Sequence, residues 1–521
     1  MEDLKLLSLI VCLPLLGAAL LAGVLRGDDA AAQLNAKRFA LLITTATFFL
    51  SLFLLTGFDP ENPDFQFVED GAWLGGLRYK LGLDGISLPF LMLTAFIFPI
   101  CVLASWSLAT RVKEFMALLL VLESMIIGVF ASLDIVLFFV FFEGALIPMF
   151  LLIGIWGGGQ RVYAAFKFFL CSMVGSIALL IALAYMASDA GTTCIAACAG
   201  EAAGLLDHQF AFENFTLAGI EIVGGTQTLL WLAFFISFAV KTPMWPFHTW
   251  LPDAHAAAPI AASVVLGALM LKFGGYGFLR FSLPMFPVAT DVMAAFAIAL
   301  SLVAIVYASL VALMQEDLKR LFAYLSIAQM GFVTMGIFAS NKQALDGAVF
   351  QMLSHGILIA GLFLCAGVLQ NRSKSTEISA FGGLATRMPI FAGAMLLFIL
   401  AVIGLPGTSG FVGEFLAIIG VFQVASWAAF GAALGLVISA GYGIWVYRRV
   451  FLGSLLKENL KQIRDIDGRE AALILPLAVL VVALGVYPTA ASDLFGPTID
   501  AMLENLEEVR ASTTDFAQFL Q

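Results

Sequence analysis

The chain repeats one feature along nearly its whole length: apolar runs of about 20 residues, which as helices match the thickness of a bilayer's hydrocarbon core. A water-soluble core does not need 61% hydrophobic residues in 521, so the chain reads as an all-α polytopic membrane protein. Hydropathy places fourteen spans at roughly 6–24, 39–57, 86–107, 114–131, 133–153, 164–187, 228–247, 256–280, 289–313, 319–339, 343–369, 388–425, 427–450 and 470–492. The first follows Met1-Glu2-Asp3, not a basic start, and is longer than a signal segment, so a retained helix is expected. The 48 Gly and 48 Phe suit packed membrane helices, where small residues let backbones approach and aromatic rings face lipid or neighbours.

This composition excludes several function classes. The net charge of −10 describes loops and gives no nucleic-acid patch. Cys12, Cys101, Cys171 and Cys365 lie singly in apolar spans and read as packing residues, while Cys194 and Cys198 are close enough for a loop disulfide, which stays open. There is no GxGxxG, no Walker A sequence, no cysteine cluster for iron–sulfur and no histidine pair spaced for haem. No redox or nucleotide chemistry and no cofactor are therefore expected in this chain.

Basic residues orient the spans. With the N-terminus outside, seventeen of the 26 Lys and Arg fall in cytoplasmic connections and six on the opposite side, Lys167, Lys241 and Lys272 lying in or at spans. Both termini are thus expected on the outer side. The long loops at 58–85 and 188–227 agree, the first mostly acidic and the second without Lys or Arg.

Two spans are interrupted in comparable places, at Lys241-Thr-Pro-Met-Trp-Pro-Phe-His248 and at Gly404-Leu-Pro-Gly-Thr-Ser-Gly410, and 388–425 reads as one broken helix. Paired breaks of this kind point to an inverted-repeat transporter with an ion site at the breaks. Five spans separate them, and an odd offset turns the second copy upside down. The expected division is three N-terminal spans in 1–113, a first repeat in 114–281, a second in 289–453, and a last span with an outer tail in 454–521.

Ionisable residues inside such spans are functional candidates by default. Glu143 lies in VLFFVFFEGALIPMFLLIGIW, and Lys241 is its natural partner, just ahead of two prolines that leave carbonyls without helical donors. Moving that cation would switch the carboxylate; the bland alternative is a static pair joining two helices. Lys272, in ALMLKFGGYGF, has no carboxylate within a turn and is a candidate relay, with a snorkelling lysine as the alternative. His355 lies mid-span one turn after Gln351 and is either a proton carrier or a hydrogen-bonded fixture. Glu414 follows the second break and either terminates the relay or caps the following half-helix. Glu123, in LLLVLESMIIGVF, would face Glu143's helix from the neighbouring span or pair elsewhere. His248, Asp253 and His255 lie in a Pro-rich connection that suggests a short turn and lacks a third His or Cys for a metal. Asp317-Leu-Lys-Arg320 reads as a structural charge cluster at a helix start.

At these residues the chain resembles the antiporter-like membrane subunits of proton-pumping NADH:quinone oxidoreductase, respiratory complex I, most closely the M-type, chain 4 in mitochondrial naming. LESMIIGVFASLDIVLFFVFFEGALIPMFLLIGIWGG, FAVKTPMWPFHTWLPDAHAAAP, LKRLFAYLSIAQMGF, QMLSHGILIAGLF and GLPGTSGFVGEFL carry the likeness over about residues 115 to 425. It implies about fourteen helices with inverted five-helix repeats, spans 4–8 and 9–13, broken at the seventh and twelfth. It implies that Glu143 pairs Lys241, that Lys272 and His355 are central relays, that Glu414 is the terminal donor or acceptor, and that Glu123 couples to the neighbouring subunit. Gln329 stands where the family often has histidine, which removes one proton-accepting group. Sister L-type and N-type subunits usually carry lysine at Glu414, and the resemblance implies both as flanking partners, with lipid, water and protons around the chain. Flavin and iron–sulfur clusters are expected in other subunits. The expected location is a bacterial inner membrane, with the mitochondrial inner membrane as the alternative. The rival is a subunit of a multisubunit cation/proton antiporter, whose D-type subunit has the same glutamate.

Overall fold

A computed structural model of the chain describes residues 5–23, 29–73, 77–197, 203–206, 208, 215–217, 220–222 and 225–512. Cys198, half of the possible loop disulfide, lies outside these residues. In chain order the main elements are α1 (Leu6–Gly23), α2 (Ala30–Gly57), β1 (Gln66–Ala72), β2 (Arg78–Leu83), α3 (Ser87–Ala104), α4 (Val112–Ala131), α5 (Ile135–Trp156) and α6 (Arg161–Ala190). They continue with β3 (Phe215–Leu217), β4 (Ile220–Ile222), α7 (Gly225–Lys241), α8 (Trp250–Ala257), α9 (Ile260–Met285), α10 (Pro287–Leu313), α11 (Leu318–Ala339) and α12 (Lys342–Ser373). The last are α13 (Pro389–Val402), α14 (Ser409–Val424), α15 (Ser426–Phe451), α16 (Gly468–Val486) and α17 (Thr489–Ser512). Twelve helices among the described residues are long and apolar enough to cross a membrane. The seventh and twelfth crossings are split, into α7 with α8 and α13 with α14, which completes the fourteen the hydropathy predicts.

Local chemistry sets many of the ends. Asp29, Asp134, Asp317, Asn341 and Asp467 are N-caps whose side chains accept from backbone N–H groups of the following turn. Pro287 and Pro389 open α10 and α13, where a missing N–H costs no helical bond. Burial then separates core from rim: the most apolar stretch of α9 is 100% buried and those of α11 and α12 are 94%, against 28% for α2 and α16. The three central helices are also those whose polar residues reach the middle of the protein.

The two halves repeat one device. Asp134, before α5, forms a bridge with Cys194, and its Oδ2 accepts from Thr193 at 2.5 Å while Ile135 N donates to Thr193 O at 2.9 Å. Asp317, before α11, bridges Glu377, its Oδ2 accepts from Thr376, and Leu318 N donates to Thr376 O at 3.0 Å. Each aspartate reaches a threonine 59 residues further on. Five spans apart, these matched hooks fall at opposite ends of the bundle, as an inverted repeat requires.

Hydropathy does not reveal two peripheral features. The antiparallel hairpin β1–β2 presents Glu69, whose carboxylate accepts from Leu7 N at 2.8 Å and Ser8 N at 3.1 Å and so caps α1. The tail beyond the last span is helical: α17 is strapped to the bundle by Arg510 on Asp291 at 2.5 Å and Lys342 on Asp500 at 2.8 Å.

Candidate functional site

Lys241 is the last residue of α7, where Pro243 and Pro246 end the helix. The Val240 carbonyl that the break frees accepts instead from the Trp250 indole of α8 at 3.0 Å. The Lys241 ammonium is 3% exposed, lies 3.6 Å from Glu143 Oε1 on α5, and stands 4.5 Å from the Phe142 ring centre. Ser176 of α6 donates to the same carboxylate. At 3.6 Å the contact is an ion pair without a hydrogen bond, and the Glu143 side chain remains 22% exposed. The expected partners are together, loosely held.

Lys272 follows a widened π turn, Leu266–Met270, in α9. Lys272 Nζ donates to the Gly267 carbonyl of that turn at 2.9 Å. The same ammonium contacts Nδ1 of His355 on α12 at 2.6 Å, with both side chains at most 1% exposed. Close helix crossings permit this. A Cβ at Gly356 would fall 2.9 Å from Ala268 O, and one at Gly274 would fall 2.3 Å from Phe238 O. The snorkelling alternative fails, because the Lys272 head group ends on a histidine in the core.

His355 has a second imidazole nearby. His255 of α8 is 0% exposed, stacks on Phe363 at 4.4 Å, and has no hydrogen-bond partner on either ring nitrogen. Its ring borders Gly267, where an added Cβ would lie 3.4 Å from His255 Cε1. Sequence reasoning missed it by reading this connection as a short turn. The structure corrects that: Trp250–Ala257 is the second half of the broken crossing. Pro252 lies in its first turn, where proline takes no helical bond away. A burial pattern starting at Trp250 was the available signal.

At the twelfth crossing, Gly404 and Gly407 take φ of +78° and +89°, so the chain turns between α13 and α14 where glycine is at ease. Glu414 is 1% exposed, folds back over that turn, and neither carboxylate oxygen has a hydrogen bond. The helix-cap alternative therefore fails: the N-cap is Thr408, and Glu414 lies more than one turn inside α14. Gln329 of α11 sits beside it and donates to Val402 O at 3.1 Å, while Gln351 of α12 donates to Gln329 Oε1. Ser354 donates to Ser409 at 2.7 Å, tying α12 to the start of α14.

Glu123 on α4 is 0% exposed and neither of its oxygens has a hydrogen bond; no ion pair to Glu143 forms among the described residues. Asp253 is taken up by Lys167 at 2.7 Å and Arg320 at 2.9 Å, a tie between α6, α8 and α11. His248 packs edge-on against Tyr307 at 5.3 Å. Among the described residues no three His, Cys, Asp or Glu side chains group as for a metal.

Residues 132–439 match the family described as NADH:quinone oxidoreductase/Mrp antiporter, TM. The chain is 56% identical to NADH-quinone oxidoreductase subunit M of Rhodobacter capsulatus over 502 residues, 96% of this chain and 97% of that one. It is 44% identical to NADH-ubiquinone oxidoreductase chain 4 of Chondrus crispus over 458 residues, 87% of this chain and 89% of that one. Among solved structures, a chain of respiratory complex I from Thermus thermophilus with bound NADH superposes with a TM-score of 0.83 at 29% identity, covering 96% of this chain and 99% of that chain. The chain belongs to this family of transmembrane proteins, and within it to the subunit M and chain 4 members of NADH:quinone oxidoreductase.

Proposed function

We propose that this chain moves protons through a buried line of Glu143, Lys241, Lys272, His355 and Glu414, driven by NADH:quinone oxidoreduction elsewhere in complex I. The observation that carries the reading is the Lys272–His355 contact at 2.6 Å. An ammonium resting on an imidazole in a buried core is a donor held against an acceptor. When Glu143 is drawn from Lys241, the ammonium is left unpaired in a low dielectric and gives up its proton toward Lys272 and His355. Glu414, turned toward the break, receives it. His255, beside Gly267, joins this line as a further imidazole. Glu123 couples the chain to its neighbour; its full burial means that this coupling passes through α4 and not by direct contact.

The matched hooks at Asp134 and Asp317 support the division into repeats at 114–281 and 289–453. The partial exposure of Glu143 supports a neighbouring subunit that covers it, which we assign to the N-type, with the L-type on the other side. Flavin and iron–sulfur carriers belong, on this reading, to other subunits. The similarity to the Rhodobacter capsulatus subunit supports a bacterial inner membrane, and the basic-residue count supports both termini on the periplasmic side.

Inverted membrane vesicles test the proposal. Lys272→Met should abolish NADH-driven proton uptake through this subunit, and Na⁺ or K⁺ added without NADH should discharge no preset pH gradient. Cation exchange in the dark of NADH would instead establish the antiporter rival.

A further inference from the structure

The protein holds a repeated tripeptide that the relay does not use. Gly275-Tyr276-Gly277 lies in α9 and Gly441-Tyr442-Gly443 in α15, the fifth crossing of each half. In the first copy the phenol is occupied: Tyr276 donates to Phe130 O at 3.3 Å and accepts from Arg280 Nε at 3.3 Å. In the second, the residue four further on is Val446, and the Tyr442 hydroxyl, 0% exposed, has no hydrogen-bond partner. Tyr442 faces the broken crossing over which Glu414 folds, where a Cβ on Gly404 would lie 2.8 Å from Glu414 Oε2. It is held there by the approach of α15 to the broken crossing, where a Cβ on Gly443 would lie 2.8 Å from Ile403 Cγ2. Both Glu414 oxygens and Gln351 Oε1 are likewise buried and unmet. Buried polar atoms are rarely left so, and a group like this one satisfies itself directly or through ordered water.

We infer that the Tyr442 hydroxyl and Glu414, which do not touch in this structure, are joined through an ordered water, making Tyr442 a positioning residue that holds the carboxyl in both of its states. Through that water a phenol donates toward the ionised carboxylate and accepts from the protonated acid, so it follows the group through a proton cycle without ionising itself. Gln329 and Gln351 complete the polar shell from α11 and α12. The inference rests on the reading of Glu414 as the terminal proton group.

The test uses the whole complex in membrane vesicles, with protons moved per NADH oxidised and a redox-induced infrared difference spectrum. The Glu414 carboxyl band is the one lost in Glu414→Gln. Tyr442→Phe removes one oxygen and keeps the ring; losing a hydrogen bond to a charged group disfavours the ionised form roughly tenfold to a hundredfold. The expected result is a lower proton ratio and a Glu414 band moved to higher frequency, with Tyr276→Phe leaving that band in place. Normalising to NADH oxidised removes any effect of assembly yield. A parental ratio or an unmoved band in Tyr442→Phe, while Glu414→Gln loses pumping, overturns the inference. A parental ratio in Glu414→Gln overturns the terminal reading itself.

Discussion

Removing both charges of the loose ion pair distinguishes a moving part from a fastener. Glu143 Oε1 and Lys241 Nζ are 3.6 Å apart, which at an effective dielectric near 20 corresponds to about 5 kcal/mol of attraction. Glu143→Gln leaves a lysine side chain with 3% exposure whose ammonium has no hydrogen-bond partner. Breaking a buried pair from one side costs about 3–5 kcal/mol, enough to lower the amount of assembled complex. Replacing both members, Glu143→Gln with Lys241→Met, removes the stranded charge, and such neutral replacements are often close to neutral for stability. Assembly should therefore recover in the double variant. Proton movement should not, because the donor has gone. The assay is dye quenching in inverted vesicles, scaled to NADH oxidised and to the amount of complex found by antibody. A double variant that assembles and pumps at the parental ratio would refute the relay and make the pair simple glue.

Three further outcomes follow from the geometry. Gly404→Ala should destabilise the broken twelfth crossing by about 1–2 kcal/mol, since φ of +78° disfavours a side chain and the new Cβ would meet Glu414 Oε2 at 2.8 Å; Gly393→Ala, with open space around it, is the control for thermal stability and pumping. Asp317→Ala removes an N-cap and the hook to Thr376 and should cost about 1–2 kcal/mol in complex stability, read by thermal melting, while the proton ratio of surviving complex stays parental. Arg510→Gln loses a two-bond contact to Asp291 and should raise protease sensitivity near α17 without changing the proton ratio; unchanged digestion would mean that the strap is held by its apolar contacts.

The fold was legible because bilayer thickness imposes a simple code: long apolar runs, basic connections on one side, and breaks that only Pro or Gly produces. Glu143, Lys241, Lys272, His355 and Glu414 stood out for the same reason, being charges or imidazoles where a charge is costly. Residues of unremarkable type stayed hidden. His255 was masked by prolines that serve its helix start, and Tyr442 is one of nine tyrosines, marked only by a Gly-Tyr-Gly tripeptide whose first copy at 275–277 faces different partners. Ser176 contributes a single polar atom whose importance depends on the Glu143 carboxylate that faces it. Partner choice across helices, such as Lys272 with His355 from 83 residues away, is fixed by close crossings at glycines that hydropathy does not register.

The widened turn at Leu266–Met270 gives one stretch of α9 a meaning unrelated to residue identity. A π turn accommodates one extra residue without re-aiming the helix beyond it. Deleting a single residue there would let the helix close to ordinary pitch, with its length, hydropathy and insertion nearly unchanged. The Gly267 carbonyl would turn relative to the Lys272 ammonium, and Lys272 would keep only His355. The donor's second anchor is thus written as a count of residues, and a sequence comparison blind to one-residue gaps would not see it lost.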